Sequence, residues 1–362
     1  MPDWRQNRLT AQLGVDYPII QGPLGGLASQ RLVAGVSNFG GLGCFGALSL
    51  EPTGIRDVID EIRALTSRPF AVNLWITMED EGARQSSESD FRNALAPLLA
   101  YIDEIGAPRP AYKPFAPPPR FADQVRAVLD AKVPILSFVF SVPPSEILEE
   151  CRARNIVTIG TATTPDEAIA LEEAGIDVIV ASGLEGGGHR GSFLRPAEES
   201  LIGTVSLVEQ IVAVVKVPVI AAGGIGDARG VTDAFAAGAE GVQMGTAFLT
   251  FEESGATELH RHTLLEGNVE TALTRGFTGR LARGIRNRLM DELSKPGTSL
   301  LPYPLQRQLT KSVTGPAESA GRADLVQMWA GQSANLARRT NLQTFLSSLV
   351  AELSGLQSAK ES

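Results

Sequence analysis

Cysteine and histidine are scarce in this chain: Cys44 and Cys151, then His189, His260 and His262, in 362 residues. Two thiols build neither a disulfide framework nor a multi-cysteine zinc site, and three histidines leave little for a metal, so a reducing, cytoplasmic setting without metal is expected. Positive charge is also short. Lys and Arg number 32 against 41 Asp and Glu, a net charge of −9. That balance excludes a sequence-independent nucleic-acid surface, because such binding runs on phosphate neutralisation. Long apolar runs are missing too. Residues 32–50 carry no charge and approach the ~20 residues a membrane span needs. Asn38, two serines and several glycines interrupt them, and 38–41 reads as a turn, so no membrane association is expected. Residues 1–8 are charged with no apolar segment behind them, which predicts no signal peptide.

Glycine, in contrast, is abundant, with 37 residues. A length of 362 allows two or three domains at about 150 residues each, or fewer if one is a barrel. Eight short apolar runs bounded by Gly, Pro or Asp stand at 18–21, 41–45, 70–75, 134–140, 156–161, 177–182, 218–222 and 241–244. Between them lie amphipathic stretches at 54–65, 121–131, 145–154, 165–174, 204–215 and 228–237. Strands alternating with helices imply a parallel sheet covered on both faces, and eight such units predict a closed (β/α)8 TIM barrel. Residues 77–119 break the repeat as an insertion on the loop after the third strand, with a helix at 91–104 and then a proline-dense passage. The last hundred or so residues read as helices and turns without strands. The expected division is a barrel over 1–255, a helical lid or substrate subdomain over 256–320, and a terminal segment, 321–362, whose helical pattern at 322–353 returns to the barrel as its eighth helix.

Gly41-Leu42-Gly43-Cys44-Phe45-Gly46 matches G-x-G-x-x-G but lies on a strand rather than between strand and helix, so close strand packing is the better reading. Gly223 and Gly224 after the seventh strand, and Gly245 and Thr246 after the eighth, stand where barrels often cradle a phosphate on backbone N–H groups. After the sixth strand, Gly186, Gly187 and Gly188 precede His189, a histidine on the catalytic face able to take or hold a proton near neutral pH. Asn73 ends the third strand as a lone amide suited to a heterocycle edge. Gln21, Gly22, Pro23 and Leu24 follow the first strand towards the same cavity. His260 and His262 sit in a charged helical run and are expected on a solvated face.

Taken together these motifs resemble the nitronate monooxygenase family, formerly called 2-nitropropane dioxygenases. The resemblance rests on 19–23, 73–74, 185–191, 221–225 and 241–249 in family order, with 280–287 and 302–304 resembling its first class. It implies FMN, with the phosphate at Gly223, Gly224, Gln243, Gly245 and Thr246 alongside Met244. The isoalloxazine would lie near Pro23, Leu24, Asn73, Ser182, Gly187 and Gly188, with His189 facing the substrate. His189 would serve as the base for a neutral nitroalkane or, as imidazolium, hold the nitro oxygens. Phe277 and Tyr303 are candidate pocket walls. Leu24 and Ser182 depart from the Met and Gln usual in the family, and Ser182 has the shorter reach towards the flavin. The implied partners are a nitronate or nitroalkane and O2, in a monomer or homodimer. Two other readings stay open: an NAD(P)H-dependent reductase of the enoyl-acyl-carrier-protein or quinone type, and a flavin-binding relative without turnover.

Overall fold

The computed structural model describes residues 4–338 and 340–361. Residues 1–3, part of the stretch read as lacking a signal peptide, and Arg339 and Ser362 in the terminal segment lie outside the described residues. In chain order the strands are β1 (Ile19–Gln21), β2 (Gly43–Gly46), β3 (Phe70–Trp75), β4 (Ile135–Val139), β5 (Val157–Ala162), β6 (Val178–Ser182), β7 (Gly188–His189), β8 (Val219–Ala222), β9 (Gly241–Met244), β10 (Thr271–Thr274) and β11 (Ala282–Ile285). All but β7, β10 and β11 are the eight runs marked in the sequence. They pair in parallel in the order β1-β9-β8-β6-β5-β4-β3-β2. The two ends of that order meet, because Ile20 bridges Leu42 and the Leu42 N–H donates to the Ile19 carbonyl at 3.0 Å. The result is the (β/α)8 barrel.

Local chemistry sets the helix limits. The helix Pro165–Ala174 starts with the Thr164 hydroxyl accepting from the Glu167 N–H at 3.3 Å, has Pro at its first position, and ends at Gly175 with φ 94°. The glycines of the G-x-G-x-x-G match pack on the strand as expected: a Cβ on Gly43 would fall 2.1 Å from the Val33 carbonyl oxygen. Period-two alternation then sorts the strand side chains. Ile20, Cys44, Ala71, Ile135, Ile159, Val180 and Ile220 fill the barrel, closed below by Leu9 and Leu13 of the helix Arg8–Leu13. Ile19, Val72, Leu136, Ile179, Val219, Val242 and Met244 face outward and pack beneath the helices.

The insertion is helical, but in pieces: Glu88–Leu95, a 3-10 turn Ala96–Leu98, and Leu99–Glu104. Pro97 has no N–H to continue the ladder, which explains the break in the run expected at 91–104. Leu98 and Ile102 share a buried cluster with Phe277, Leu289, Val313 and Leu325, so insertion and tail pack as one cap on the barrel. The tail departs from its reading in two respects. It contains strands: β10 pairs antiparallel with β11, and β11 with β7. These segments are four residues long, and Arg283 is buried within β11, which hides the apolar alternation a strand normally shows. The returning helix is Leu342–Glu361 rather than 322–353, and it packs on the helices Gln30–Phe39 and Ala228–Ala236, the slot of an eighth crossover. Residues ahead of it form 3-10 turns that bring Trp329, Ala330 and Gly331 to the barrel mouth. No described helix is long and apolar enough to cross a membrane.

Candidate active site

One step above the apolar interior, the same alternation turns polar side chains to the mouth: Asn73 after Ala71, Ser137 after Ile135, Ser182 after Val180, and Gln243 between outward Val242 and Met244. Asn73 is buried and donates to the Ser137 hydroxyl at 3.0 Å. Gln21 faces the backbone of β2, accepting from the Cys44 N–H at 3.2 Å and donating to the Cys44 carbonyl at 3.0 Å. Its amide therefore braces β1 against β2. Met244 has its side chain in the core and its carbonyl bonded to the Gly22 N–H at 2.9 Å.

Beside this polar layer is a surface made of backbone. Gly223 has φ 116° and Gly224 φ 69°, and a Cβ on Gly223 would stand 2.8 Å from the Thr204 hydroxyl and 3.0 Å from the Gly186 nitrogen. Only glycine fits both the left-handed conformation and the space. Glu185 fixes this layer by accepting the Thr204 N–H at 2.9 Å and its hydroxyl at 2.7 Å, at the start of the helix Thr204–Val212. From the tail, the Gly331 N–H donates to the Thr246 hydroxyl and the Gln332 N–H to the Glu185 carbonyl, both at 2.9 Å. Gly187 lies against Ala330, where a Cβ would come within 2.6 Å of the carbonyl carbon. On the far side Leu24 holds φ 47°, a left-handed conformation costing a leucine about 1–2 kcal/mol, and its side chain lies over Gly245. A glycine-lined cradle below strained backbone is the geometry a large planar cofactor with a phosphate tail needs, and the residues present fit one.

His189 stands next to this cradle because β11 holds it there, pairing Ala282 with His189. Its ring has Trp75, Trp329 and Tyr303 around it at centroid distances of 5.1, 5.3 and 6.0 Å. Phe277 backs this wall, 6.0 Å from Trp329. Burial, aided by Arg280 and Arg307, pushes the imidazole down to about 3. Desolvation and the two nearby guanidiniums thus favour the neutral ring.

Arg280 is the main residue the sequence reading missed. Its guanidinium lies 4.5 Å from the ring centroids of Phe140 and Tyr303, donates from Nε to Asp80 at 2.8 Å and from Nη1 to the Thr77 carbonyl at 3.0 Å. It joins tail to insertion directly over the mouth. Glu167 was also missed; fully buried, it accepts from the Thr163 N–H and the Phe193 N–H at 2.6 Å each and so anchors the chain just past His189. Arg280 carried no distinguishing signal, since it stands among Arg275, Arg283, Arg286 and Arg288; Glu167 looked like an ordinary first-turn acid. His260 is a further correction. It is buried, not solvated, and burial lowers it to about 4, while His262 is exposed as expected.

Both depressed histidines lie below the ordinary imidazole value of 6.5, so between that value and about 3 the unfolded chain binds more protons than the folded one. Stability is therefore full above 6.5 and falls as pH drops through this window. A urea midpoint flat at neutral pH, falling on acidification, and falling less in His260→Gln, is the expected titration.

The model of the nitronate monooxygenase family matches residues 6–352. The chain belongs to the nitronate monooxygenase family. A Staphylococcus aureus (strain Newman) protein named "Probable nitronate monooxygenase" is 42% identical over 359 residues, covering 99% of this chain and 100% of that one. Among solved structures, nitroalkane oxidase from Streptomyces ansochromogenes superposes with TM-score 0.86 at 34% identity over 98% of this chain and 99% of its own. FabK from Thermotoga maritima does so with TM-score 0.75 at 25% identity, covering 98% of both chains. As a nitronate monooxygenase family member, the chain is an oxidoreductase.

Proposed function

We propose that the chain uses FMN to oxidise alkyl nitronates, and nitroalkanes after loss of their α-proton, with O2 to a carbonyl compound and nitrite. The observation that supports this reading is a histidine walled by aromatic rings beside a glycine-lined stretch of backbone at the barrel mouth. Gly223, Gly224, Gln243, Gly245 and Thr246 would hold the phosphate end. Pro23, Leu24, Asn73, Ser182, Gly187 and Gly188 would meet the ring, with Gln21, Gly22 and Met244 shaping the floor behind them. When bound, the flavin supplies an electron acceptor and a site for reaction with O2. The protein's own part is to orient the nitro compound between Trp75, Tyr303, Trp329 and Phe277, to limit water, and to accept the α-proton at His189. Residues 256–320 would act as the substrate-side cap of the barrel over 1–255, and the terminal segment 321–362 closes both.

The purified protein is expected to be yellow, with oxidised-flavin absorbance. Anaerobic mixing with propionate 3-nitronate should bleach it, and in air the same substrate should drive oxygen uptake with stoichiometric nitrite. The likeness to FabK favours a second reading in which NAD(P)H is the electron donor. Rapid bleaching by NADH with none by the nitronate would establish that reading, and a colourless protein that takes up no FMN would refute both.

A further inference from the structure

Every hydrogen-bond partner of the His189 ring lies on one side. Nε2 is 2.9 Å from the Thr278 Oγ1, and that hydroxyl is 3.2 Å from the Arg280 carbonyl oxygen. A carbonyl oxygen only accepts, so both contacts are satisfied in a single polarity: Thr278 donates to Arg280, and His189 donates its Nε2–H to Thr278. Thr278 is 1% exposed, so its hydroxyl is shielded from solvent. Two further contacts hold the relay in place. The Arg280 side chain is fixed by Asp80 and Thr77, and β7 and β11 set the backbone of His189 opposite Ala282, two residues beyond Arg280. At the other end of the ring, Nδ1 has no hydrogen-bond partner among the described residues, and His189 as a whole stays partly exposed.

We infer that Thr278 is a positioning residue that locks His189 in the Nε2–H tautomer, so that Nδ1 is the atom that takes the α-proton of a neutral nitroalkane. This rests on the functional reading above, in which His189 is the base. In the step, the substrate α-C–H bond breaks, its proton moves to Nδ1, and the electron pair left on carbon delocalises onto the nitro group as the nitronate. No oxidant takes part in this transfer. The positive charge gained by the ring is shared along the relay, because an Nε2–H donor strengthens its bond to Thr278 as the ring becomes cationic. An Nδ1–H tautomer would present a donor to the α-carbon and have no basic atom there. Serine keeps the hydroxyl at this position, whereas valine keeps the shape and removes it, which separates the hydrogen bond from packing.

The test reads the tautomer and the chemistry separately. Nitrogen NMR of protein carrying labelled histidine, with the His189 signals assigned by their loss in His189→Asn, should show a protonated Nε2 and an unprotonated Nδ1 at neutral pH. Thr278→Val should shift His189 towards mixed tautomers and lower the ratio of nitroalkane to preformed-nitronate turnover by about 3- to 10-fold, the range expected for one lost hydrogen bond. Thr278→Ser should restore both the spectrum and the ratio. An Nδ1–H signal in the unmodified protein overturns the inference, as does a Thr278→Val protein whose tautomer and substrate ratio both match the original. If the unmodified protein shows the Nε2–H tautomer but turns over neither substrate, the base role falls with the functional reading, and the lock by Thr278 is upheld by the spectra alone.

Discussion

Under the proposed function, His189→Asn is expected to lower turnover of a neutral nitroalkane by about 10²–10⁴-fold, the range for removal of a positioned general base, and to leave the flavin bound. Asparagine is shorter than histidine and its amide ends near the Nδ1 position, so the contact that Nε2 makes with the Thr278 hydroxyl at 2.9 Å is lost as well. What it lacks is a nitrogen able to accept a proton. The aromatic walls at 5.1–6.0 Å remain, and the cradle is fixed by Gly223, Gly224, Glu185 and Thr204, none of which bonds to His189. A preformed nitronate has already lost its α-proton, so its oxidation should fall less. Oxygen uptake with both forms of one substrate, alongside flavin absorbance per protein, measures the difference. A colourless variant would assign His189 to the scaffold instead.

The neutrality of His189 also sets its pH behaviour. Burial and the nearby guanidiniums hold the ring down to about 3, so its ionisation is expected below the neutral range. The arginines that depress it would attract the anionic substrate proposed above. In that reading charge and base sit on different groups, a division the sequence could not reveal because Arg280 lies ninety-one positions beyond His189 in the chain.

The eight barrel strands were legible because each is a short, apolar run with a turn signal on both sides, and because the crossover helices carry their own caps, as at Thr164 and Gly175. Of the mouth residues, Asn73 was legible as a polar amide among apolar neighbours, whereas Ser182 and Gln243 were named as flavin contacts only through the family resemblance. What remained hidden depends on contacts between distant segments. β10 and β11 have no internal signal, and exist because β7 offers them an edge. Gln21 looked like a ligand contact but braces β2, a role that only the register of β1 against β2 decides. His260 sits in a charged helix, yet its face turns to the tail rather than to solvent. Its neighbours in sequence, Glu258, Arg261 and His262, pointed the other way.

Asp80→Ala is expected to be the most damaging single change to stability at the mouth, about 3 kcal/mol. The Arg280 side chain is 8% exposed and that of Asp80 32%, so the cation has given up most of its water while the carboxylate keeps some. Water at Asp80 screens the pair, which argues for the lower end of the range for broken buried pairs. Without the carboxylate, Arg280 keeps the Thr77 carbonyl at 3.0 Å and the faces of Phe140 and Tyr303 at 4.5 Å. Ring faces contribute about 0.5–2 kcal/mol to a cation and do not replace an anion. The expected melting point falls by roughly 5 °C on the scale of larger domains. Pairing Asp80→Ala with Arg280→Met removes the stranded charge and fills the same aromatic box with a thioether, so the double variant should recover most of the loss. The coupling energy from that cycle is then the direct measure of the clasp. Recovery would show that the ion pair specifies how the insertion meets the tail rather than supplying net stability. A single Asp80→Ala protein that melts with the original would reduce the clasp to a surface pair and leave the shared apolar cluster of Leu98, Ile102, Phe277 and Leu289 to hold the cap alone.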